Sequence, residues 1–180
     1  MPALRSLLSL LISGLSLGGW WYSSSVSGSR DGTATMRDID RAIDTTTPQQ
    51  AQAFVSGKTW RTVEGSSPQQ VHYSTPDGRD FLWMAEQPRI IAGEWRIESA
   101  ADNRGRTVTK LCLRYAGEAV HPTSKEAGAN WHCRAAGMVF HWIRERADGD
   151  PLQLAERSQV PTFSNYSRET IRQLQTKIGR

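Results

Sequence analysis

Short segments of alternating polar and apolar residues, separated by turn motifs, occupy most of the chain. The clearest is residues 94–98, in which Trp95 and Ile97 share one face of a strand and charged residues occupy the other. A Pro-Asp-Gly motif at residues 76–78 supplies the residues of a tight turn between two such segments. The pattern predicts a mainly β protein. We expect an antiparallel meander over residues 58–160, closed into a small barrel or folded into a sandwich.

Helical patterns precede and follow this predicted β domain in the sequence. Within residues 36–57, Thr47 is suited to cap a helix and Pro48 to occupy its first turn, so we expect a short helical segment there. Residues 161–180 form a basic tail that is predicted to contain an amphipathic helix. The apolar stripe of that helix consists of Ile171, Leu174 and Ile178.

The N-terminal region is a long stretch without charge. No charged residue occurs in residues 6–29, and Arg5 precedes them, as in an export signal. Residues 1–22 therefore predict either an uncleaved signal anchor or a cleaved signal peptide, followed by a Ser/Gly-rich linker over residues 23–35. In an anchor, the residues at the membrane interface are Trp20, Trp21 and Tyr22. Either alternative exports the β domain, so we expect it in the bacterial periplasm, tethered to the inner membrane or free.

The formal net charge of +4 does not indicate a nucleic-acid-binding protein. Residues 59–166 contain 13 basic and 13 acidic side chains, whereas residues 167–180 carry a net charge of +3. Phosphate contacts dominate nucleic-acid affinity, so a protein of that class carries its basic face on the folded body. We therefore expect no nucleic-acid partner.

The chain has two cysteines, Cys112 and Cys133, and they do not form a C-x-x-C motif. They lie in strand-like segments at residues 108–115 and 131–134, and another such segment follows at residues 138–145. If the first two segments are antiparallel neighbours, the two sulfurs can meet. Two cysteines in an exported protein form a structural disulfide more often than a redox centre, and we predict one here. Closing this loop would stabilise the fold by on the order of 3 kcal/mol.

Two groups of residues are candidates for binding. Aromatic side chains in the predicted strands either form the core or line a cavity that holds a small ligand. These candidates are Trp60, Trp83, Trp95, Trp131 and Trp142. A three-histidine metal set is conceivable because His132 and His141 can face each other across a hairpin, with His121 as the third ligand. The alternative for all three is an ordinary loop or surface histidine.

Motifs of the common enzyme classes are absent from the sequence. It contains no nucleophile elbow, no phosphate-binding loop and no dinucleotide-binding motif in a strand–helix context. We therefore assign no catalytic residues, expect no cofactor, and predict that the protein is not an enzyme.

Several motifs follow one another in an order that resembles a known type of domain. They are Gly-x-Thr-Trp at residues 57–60, the Pro-Asp-Gly hairpin, Gly-x-Trp at residues 93–95, and the two cysteines. With the apolar N-terminus and the short helix, this order is similar to small exported bacterial domains of unknown function. Those domains are loosely similar to lipocalin-like barrels. The resemblance covers roughly residues 50–160 and implies a β fold without implying catalytic residues.

Three functions are consistent with these observations. The first is a non-catalytic, membrane-tethered β domain that acts as an accessory or scaffolding subunit of a membrane assembly, or with another envelope protein. The second is a soluble periplasmic barrel that binds a small apolar or saccharide ligand. The third is a metal-dependent hydrolase. We expect the first, with the membrane contacted through the N-terminus.

Overall fold

Seven antiparallel strands form one curled sheet in the computed structural model, which describes residues 32–63, 68–115, 130–164 and 169–179. The strands are β1 (Lys58–Thr62), β2 (Gln70–Ser74), β3 (Arg79–Met84), β4 (Ile90–Ala101), β5 (Thr107–Tyr115), β6 (His132–Ala135) and β7 (Ile143–Asp148). The helices are α1 (Gly32–Thr45), α2 (Pro48–Val55), α3 (Ala136–Trp142) and α4 (Ile171–Ile178). The protein is thus mainly β, as predicted.

The strands are arranged in the order β6-β5-β4-β3-β2-β1-β7, so the first six form a continuous meander. The two edge strands, β6 and β7, are consecutive in the sequence and are joined by α3 alone. A seven-residue helix spans about 10 Å, so the sheet must curl until its edges lie close together. The predicted antiparallel meander is confirmed. It forms a half-barrel that α3 bridges, in place of a closed barrel or two packed sheets.

The prediction of a strand over residues 138–145 is wrong in its first half. That part of the chain belongs to α3, which ends at Trp142. Its apolar residues pack against the inner core at the spacing of a helix rather than a strand. These residues are Ala136, Val139, Phe140 and Ile143. Gly137 allows α3 to approach α1 closely, because a Cβ at this position would overlap the backbone of Ala42.

Two hydrophobic clusters cover the two faces of the sheet. The inner face, defined here as the one covered by α2 and α3, has a cluster of Ala51, Val55, Trp60, Trp95, Leu111 and Ala136. The outer face is covered by the chain that follows β7. Its cluster consists of Val71, Trp83, Ala85, Leu152, Leu154, Val160, Phe163, Ile171 and Leu174. Both faces of β2 and β3 are therefore largely buried, whereas β4 exposes the face that carries Glu94 and Arg96.

The predicted helices are present on both sides of the sheet. Thr47 caps α2 in a capping box with Gln50, and Pro48 opens the helix as expected. The helix α1 begins at Gly32, inside the segment that we predicted as a linker. The tail helix α4 buries Ile171 and Leu174 against the outer face, so the sheet already occupies its apolar stripe.

The predicted disulfide is confirmed. Cys112 and Cys133 are directly opposite each other in β5 and β6, with their Cα atoms 4.0 Å apart, and their sulfurs are bonded. Residues 1–22, with the interface candidates Trp20, Trp21 and Tyr22, lie outside the described residues. Among the residues that are described, no helix has the length and apolar character needed to span a membrane.

Candidate functional site

A buried polar network lies on the inner face of β1, β2 and β3. The indole of Trp60 stacks on the imidazole of His72, with ring centroids 3.7 Å apart and planes within 5° of parallel. The same indole donates from Nε1 to Ser74 Oγ at 2.9 Å. Pairing between the strands explains this arrangement, because Trp60 is directly opposite His72 and the Ser74 side chain lies on the same face two residues further along β2.

Asp80 is the centre of the network and is completely buried. Its Oδ1 accepts a hydrogen bond from Ser74 Oγ at 2.7 Å, and its Oδ2 accepts one from the Tyr115 hydroxyl at 2.6 Å. His72 Nδ1 lies 2.9 Å from the same Oδ2, while His72 Nε2 is 3.2 Å from Gln70 Oε1. A buried carboxylate requires such partners, because an unpaired charge in the interior is costly. The network therefore fixes Trp60, His72 and Gln70 in position.

Gly93 is the residue that allows Tyr115 to reach this network. It pairs with Asp80 on one side and with Tyr115 on the other, and a Cβ at this position would overlap the tyrosine ring. The ring lies across the glycine, so its hydroxyl reaches from β5 to β3. The Gly-x-Trp motif thus has a structural role at both ends, since the Trp95 indole donates to the Thr75 carbonyl at 2.9 Å.

The environment of Tyr115 keeps its hydroxyl protonated. Burial raises the pKa of this phenol well above 10, and the negative charge of Asp80 raises it further. The phenol is therefore a hydrogen-bond donor over the physiological pH range. The serine, histidine and aspartate of the network are not arranged for nucleophilic attack, because the Ser74 hydroxyl donates to Asp80 rather than to His72.

A cavity of about 50 Å³ lies beside the network on the inner face. The walls come from β1 and β2 on one side and from β5 and β6 on the other, and α3 contributes Val139 and Trp142. The apolar lining is Leu111, Leu113 and Val139, the aromatic lining is Trp60 and Trp142, and the polar lining is Thr62, Gln70, His72, His132 and Arg134. We refer to this space as the inner cavity. None of the described residues that line it carries a carboxylate.

Strand register explains why the basic residues of β6 face the inner cavity. His132 pairs with Leu113, and Arg134 pairs with Leu111, so each lies beside an inward-facing leucine of β5. The Arg134 guanidinium lies over the Trp142 ring, 5.5 Å from its centroid. This cation–π contact orients the cation at the edge of the inner cavity.

A second, wider cleft of about 340 Å³ lies where α1 meets β6 and the turn between β4 and β5. Its charged residues are Asp40, Asp102, Arg104, Arg106, Lys110 and Arg134. We refer to it as the outer cleft. Arg134 lines both spaces. Hydrogen bonds from the Arg106 backbone N–H and side chain and from the Arg104 backbone N–H lower the pKa of Asp102, so this partly buried carboxylate is committed to the turn.

The five candidate tryptophans do not converge on one site. Trp60 and Trp142 line the inner cavity, and Trp95 is buried in the inner cluster. Trp83 lies on the opposite face, where its ring packs edge-on against Phe163. The Trp131 ring makes cation–π contacts with the guanidinium groups of two arginines. These are Arg96 at 4.2 Å and Arg114 at 4.7 Å from the ring centroid.

The structure places the metal candidates on different elements. His132 is on β6 and His141 is in α3, so no hairpin joins them, and His121 lies outside the described residues. Within the described part of the chain, one group of three ligating side chains has its donor atoms together, namely Glu98, Cys112 and Cys133. Both sulfurs of that group are in the disulfide and cannot act as thiolate ligands.

Apart from Trp60, the residues that build the polar network were not among the sequence candidates, Asp80 and Tyr115 above all. Their association depends on strand register, which places Asp80, Gly93 and Tyr115 in one row across three strands. A glycine in the middle of an otherwise regular strand was the available signal, since it often marks a close approach by another group. Comparison with protein-family models, with curated proteins and with solved structures finds no match to this chain.

Proposed function

We propose that this protein is a non-catalytic binding domain of the bacterial cell envelope that holds a small ligand in the inner cavity. The observation that supports this most is the position of the cavity, at the open side of the half-barrel where α3 bridges the two sheet edges. Small-molecule sites are commonly found at the mouths of barrels and combine apolar walls with a few placed polar groups. The inner cavity has both features.

The buried network supports binding in preference to catalysis. Each polar group that it presents is engaged by a neighbour: Ser74 with Asp80, Tyr115 with Asp80, and His72 with Gln70. Such a network holds the cavity wall rigid, and rigid support is what a pre-organised binding site needs. A catalytic nucleophile requires an adjacent base that accepts its proton, and the Ser74 hydroxyl is directed at a different acceptor.

The size of the cavity supports a ligand of only a few heavy atoms. Sites for drug-sized molecules occupy about 300–1,000 Å³, whereas the inner cavity has about 50 Å³. A saccharide ring or a long acyl chain would require α3 to move away from β6.

Export is supported by the disulfide between Cys112 and Cys133, because such bonds persist in oxidising compartments. Retention at the inner membrane or release into the periplasm depends on residues 1–22.

Thermal unfolding of the full chain in mild detergent, with a panel of small solutes at millimolar concentration, tests this function. We expect only solutes of a few heavy atoms to raise Tm, because a ligand that binds the folded state stabilises it. The variant Leu113→Phe fills the inner cavity and should abolish the shift. The control Ile178→Phe enlarges a partly buried residue on the other face and should keep it. A shift that survives in Leu113→Phe, or no shift with any solute, would contradict the proposal.

An accessory role in a membrane assembly is the second candidate, and α1 is the element that favours it. Met36 on α1 is 60% exposed, and within the described ranges it is the one large hydrophobic residue with an exposed side chain. The tail helix contributes less to this idea, because Ile171 and Leu174 are already buried against the sheet. A native gel of the membrane fraction tests it. Wild type in a large complex and Met36→Glu outside it would support docking through α1, whereas both migrating alone would contradict it.

A further inference from the structure

We propose that reduction of the disulfide turns Cys112, Cys133 and Glu98 into a binding site for a zinc ion. The two sulfurs lie on the opposite face of the sheet from the inner cavity, because Cys112 and Cys133 alternate along β5 and β6 with residues that line that cavity. The proposal is therefore independent of the ligand proposed above. It is carried by the proximity of the three donor groups, by the strand register that places them, and by the access that the outer cleft gives to Cys133.

Strand register brings the three side chains together on one face of β4, β5 and β6. Cys112 is directly opposite Cys133 on one side and Arg96 on the other. Glu98 follows Arg96 by two residues along β4, so its side chain lies on the same face. The two sulfurs and a carboxylate oxygen of Glu98 lie within 4.8 Å of one another. Such a group of donors converges on a single point, as the ligands of a metal ion do.

This set of donors suits zinc. Thiolates select zinc over calcium and magnesium, which prefer oxygen ligands. Within the described ranges, no further ligating side chain joins the three, so a tetrahedral ion would hold water in its fourth position. Two thiolates and one carboxylate exceed the charge of Zn²⁺ by one, and the Arg96 guanidinium, 2.8 Å from Glu98 Oε2, offsets that charge. The other carboxylate oxygen, Oε1, is left for the metal.

The outer cleft gives a reductant access to one of the two sulfurs. Cys133 is half-buried and lines this cleft of about 340 Å³, whereas Cys112 is completely buried. A thiolate of an external dithiol attacks Cys133 Sγ, and the electron pair of the disulfide leaves with Cys112 Sγ. The second thiolate of the dithiol then displaces Cys133 Sγ from the mixed disulfide. The dithiol is thereby oxidised to a disulfide, and two protons pass from it to the cysteines until zinc displaces them.

The strands hold the two thiols in place after reduction. Four residue pairs join β5 to β6, and β6 continues directly into α3, whose first residue, Ala136, is buried in the inner cluster. Two sulfurs bound to one zinc ion lie about 3.8 Å apart, from bond lengths of about 2.3 Å in a tetrahedron. With the Cα atoms of Cys112 and Cys133 4.0 Å apart, rotation of the side chains provides this separation. Zinc thus takes over the link between β5 and β6 that the disulfide made.

A cobalt titration of the untagged full chain in mild detergent tests the site, because Co²⁺ occupies zinc sites and its bonds to thiolate give a charge-transfer band in the near ultraviolet. The chain is reduced with a dithiol, which is then removed under nitrogen, and tryptophan fluorescence verifies that it remains folded. We expect a band at one Co²⁺ per chain, removed by Zn²⁺, and no band from the oxidised chain. Absence of the band in the reduced, folded chain would overturn the proposal, as would a disulfide that is reduced only when the chain unfolds.

Two matched variants test the role of the carboxylate. Glu98→Gln keeps both cysteines and the size of the side chain, and should weaken zinc binding to the reduced chain at least about tenfold, since even outer-shell changes weaken metal sites about 10–100-fold. Glu94→Gln makes the same change on the same face of β4, where the side chain pairs with Arg114, and should leave the Kd unchanged. Competition with a chromophoric chelator measures the Kd. Equal Kd values for Glu98→Gln and wild type would overturn the three-ligand site.

Thermal unfolding distinguishes this site from zinc bound by histidines elsewhere in the chain. Zinc should raise Tm of the reduced chain, because it binds the folded state, and leave Tm of the oxidised chain unchanged. Cys133→Ser should lose both the cobalt band and the zinc-dependent rise in Tm. Where Cys133→Ser does not fold, Glu98→Gln decides, because it keeps both cysteines. An equal rise in the oxidised chain or in Cys133→Ser would place the metal away from the cysteines and overturn the proposal.

Discussion

Replacing Tyr115 with Phe removes a single hydroxyl from the buried network and leaves the ring over Gly93. That hydroxyl donates to Asp80 Oδ2 at 2.6 Å. A hydrogen bond to a charged group contributes about 1.5–3 kcal/mol to stability. In a folded protein of this size, 1 kcal/mol corresponds to about 2–4 °C in Tm. We therefore expect Tyr115→Phe to lower Tm by about 3–12 °C.

Alkaline pH distinguishes this hydrogen bond from a general packing effect. Burial, followed by the charge of Asp80, raises the pKa of Tyr115 well above 10. In the unfolded chain tyrosine ionises near pH 10, so the stability that depends on the neutral phenol is complete below that pH. It is lost as the pH rises further, by up to about 1.4 kcal/mol per pH unit. The difference in unfolding free energy between wild type and Tyr115→Phe should shrink above about pH 10.

Urea unfolding, followed by tryptophan fluorescence at several pH values, measures both effects. Tyr73→Phe is the matched control, because Tyr73 lies against the outer cluster and stacks on Phe81. Its hydroxyl takes no part in the buried network. If Tyr115→Phe costs no more than Tyr73→Phe, or if its cost is unchanged above about pH 10, the reasoning is refuted.

Three further variants test the close approaches and the disulfide. Gly93→Ala inserts a methyl group into the aromatic ring beside it, and overpacking of this kind costs about 1–3 kcal/mol in urea unfolding; an unchanged stability would contradict the placement of that ring. Gly137→Ala directs a methyl group at the backbone of Ala42, so amide exchange in α1 should accelerate while exchange in α4 stays the same. Cys112→Ser with Cys133→Ser should lower the unfolding free energy by on the order of 3 kcal/mol and make it insensitive to reductant, unlike wild type.

Local patterns predicted the parts of the fold that depend on neighbouring residues. The alternation around Trp95 and Ile97 identified a strand that is buried on one face, and Thr47 with Pro48 identified the start of α2. The disulfide could be predicted because its two cysteines lie in consecutive strands of a meander. Local patterns failed for α3. Its aromatic and β-branched residues favour a strand by composition, whereas its apolar residues contact the inner cluster at the spacing of a helix.

The candidate site could not be predicted because it depends on contacts that are distant in the sequence. Tyr115 reaches Asp80 across 35 residues and one intervening strand. The inner cavity likewise requires the sheet to curl until β1 and β6 face the same space. Curling depends on the length of α3, which the sequence pattern assigned to a strand. Arg134 had no local feature that marked it, since its position between the inner cavity and the outer cleft follows from strand register.

The position of a bound solute tests the central claim most directly. In the full chain with carbon-13 methyl labels on leucine and valine, we predict that the solute that raises Tm most gives intermolecular NOEs to Leu111 and Val139, lost in Leu113→Phe at the same solute concentration. NOEs to Leu152 and Leu154 of the outer cluster, or measurable binding without NOEs to the inner cavity, would contradict the account.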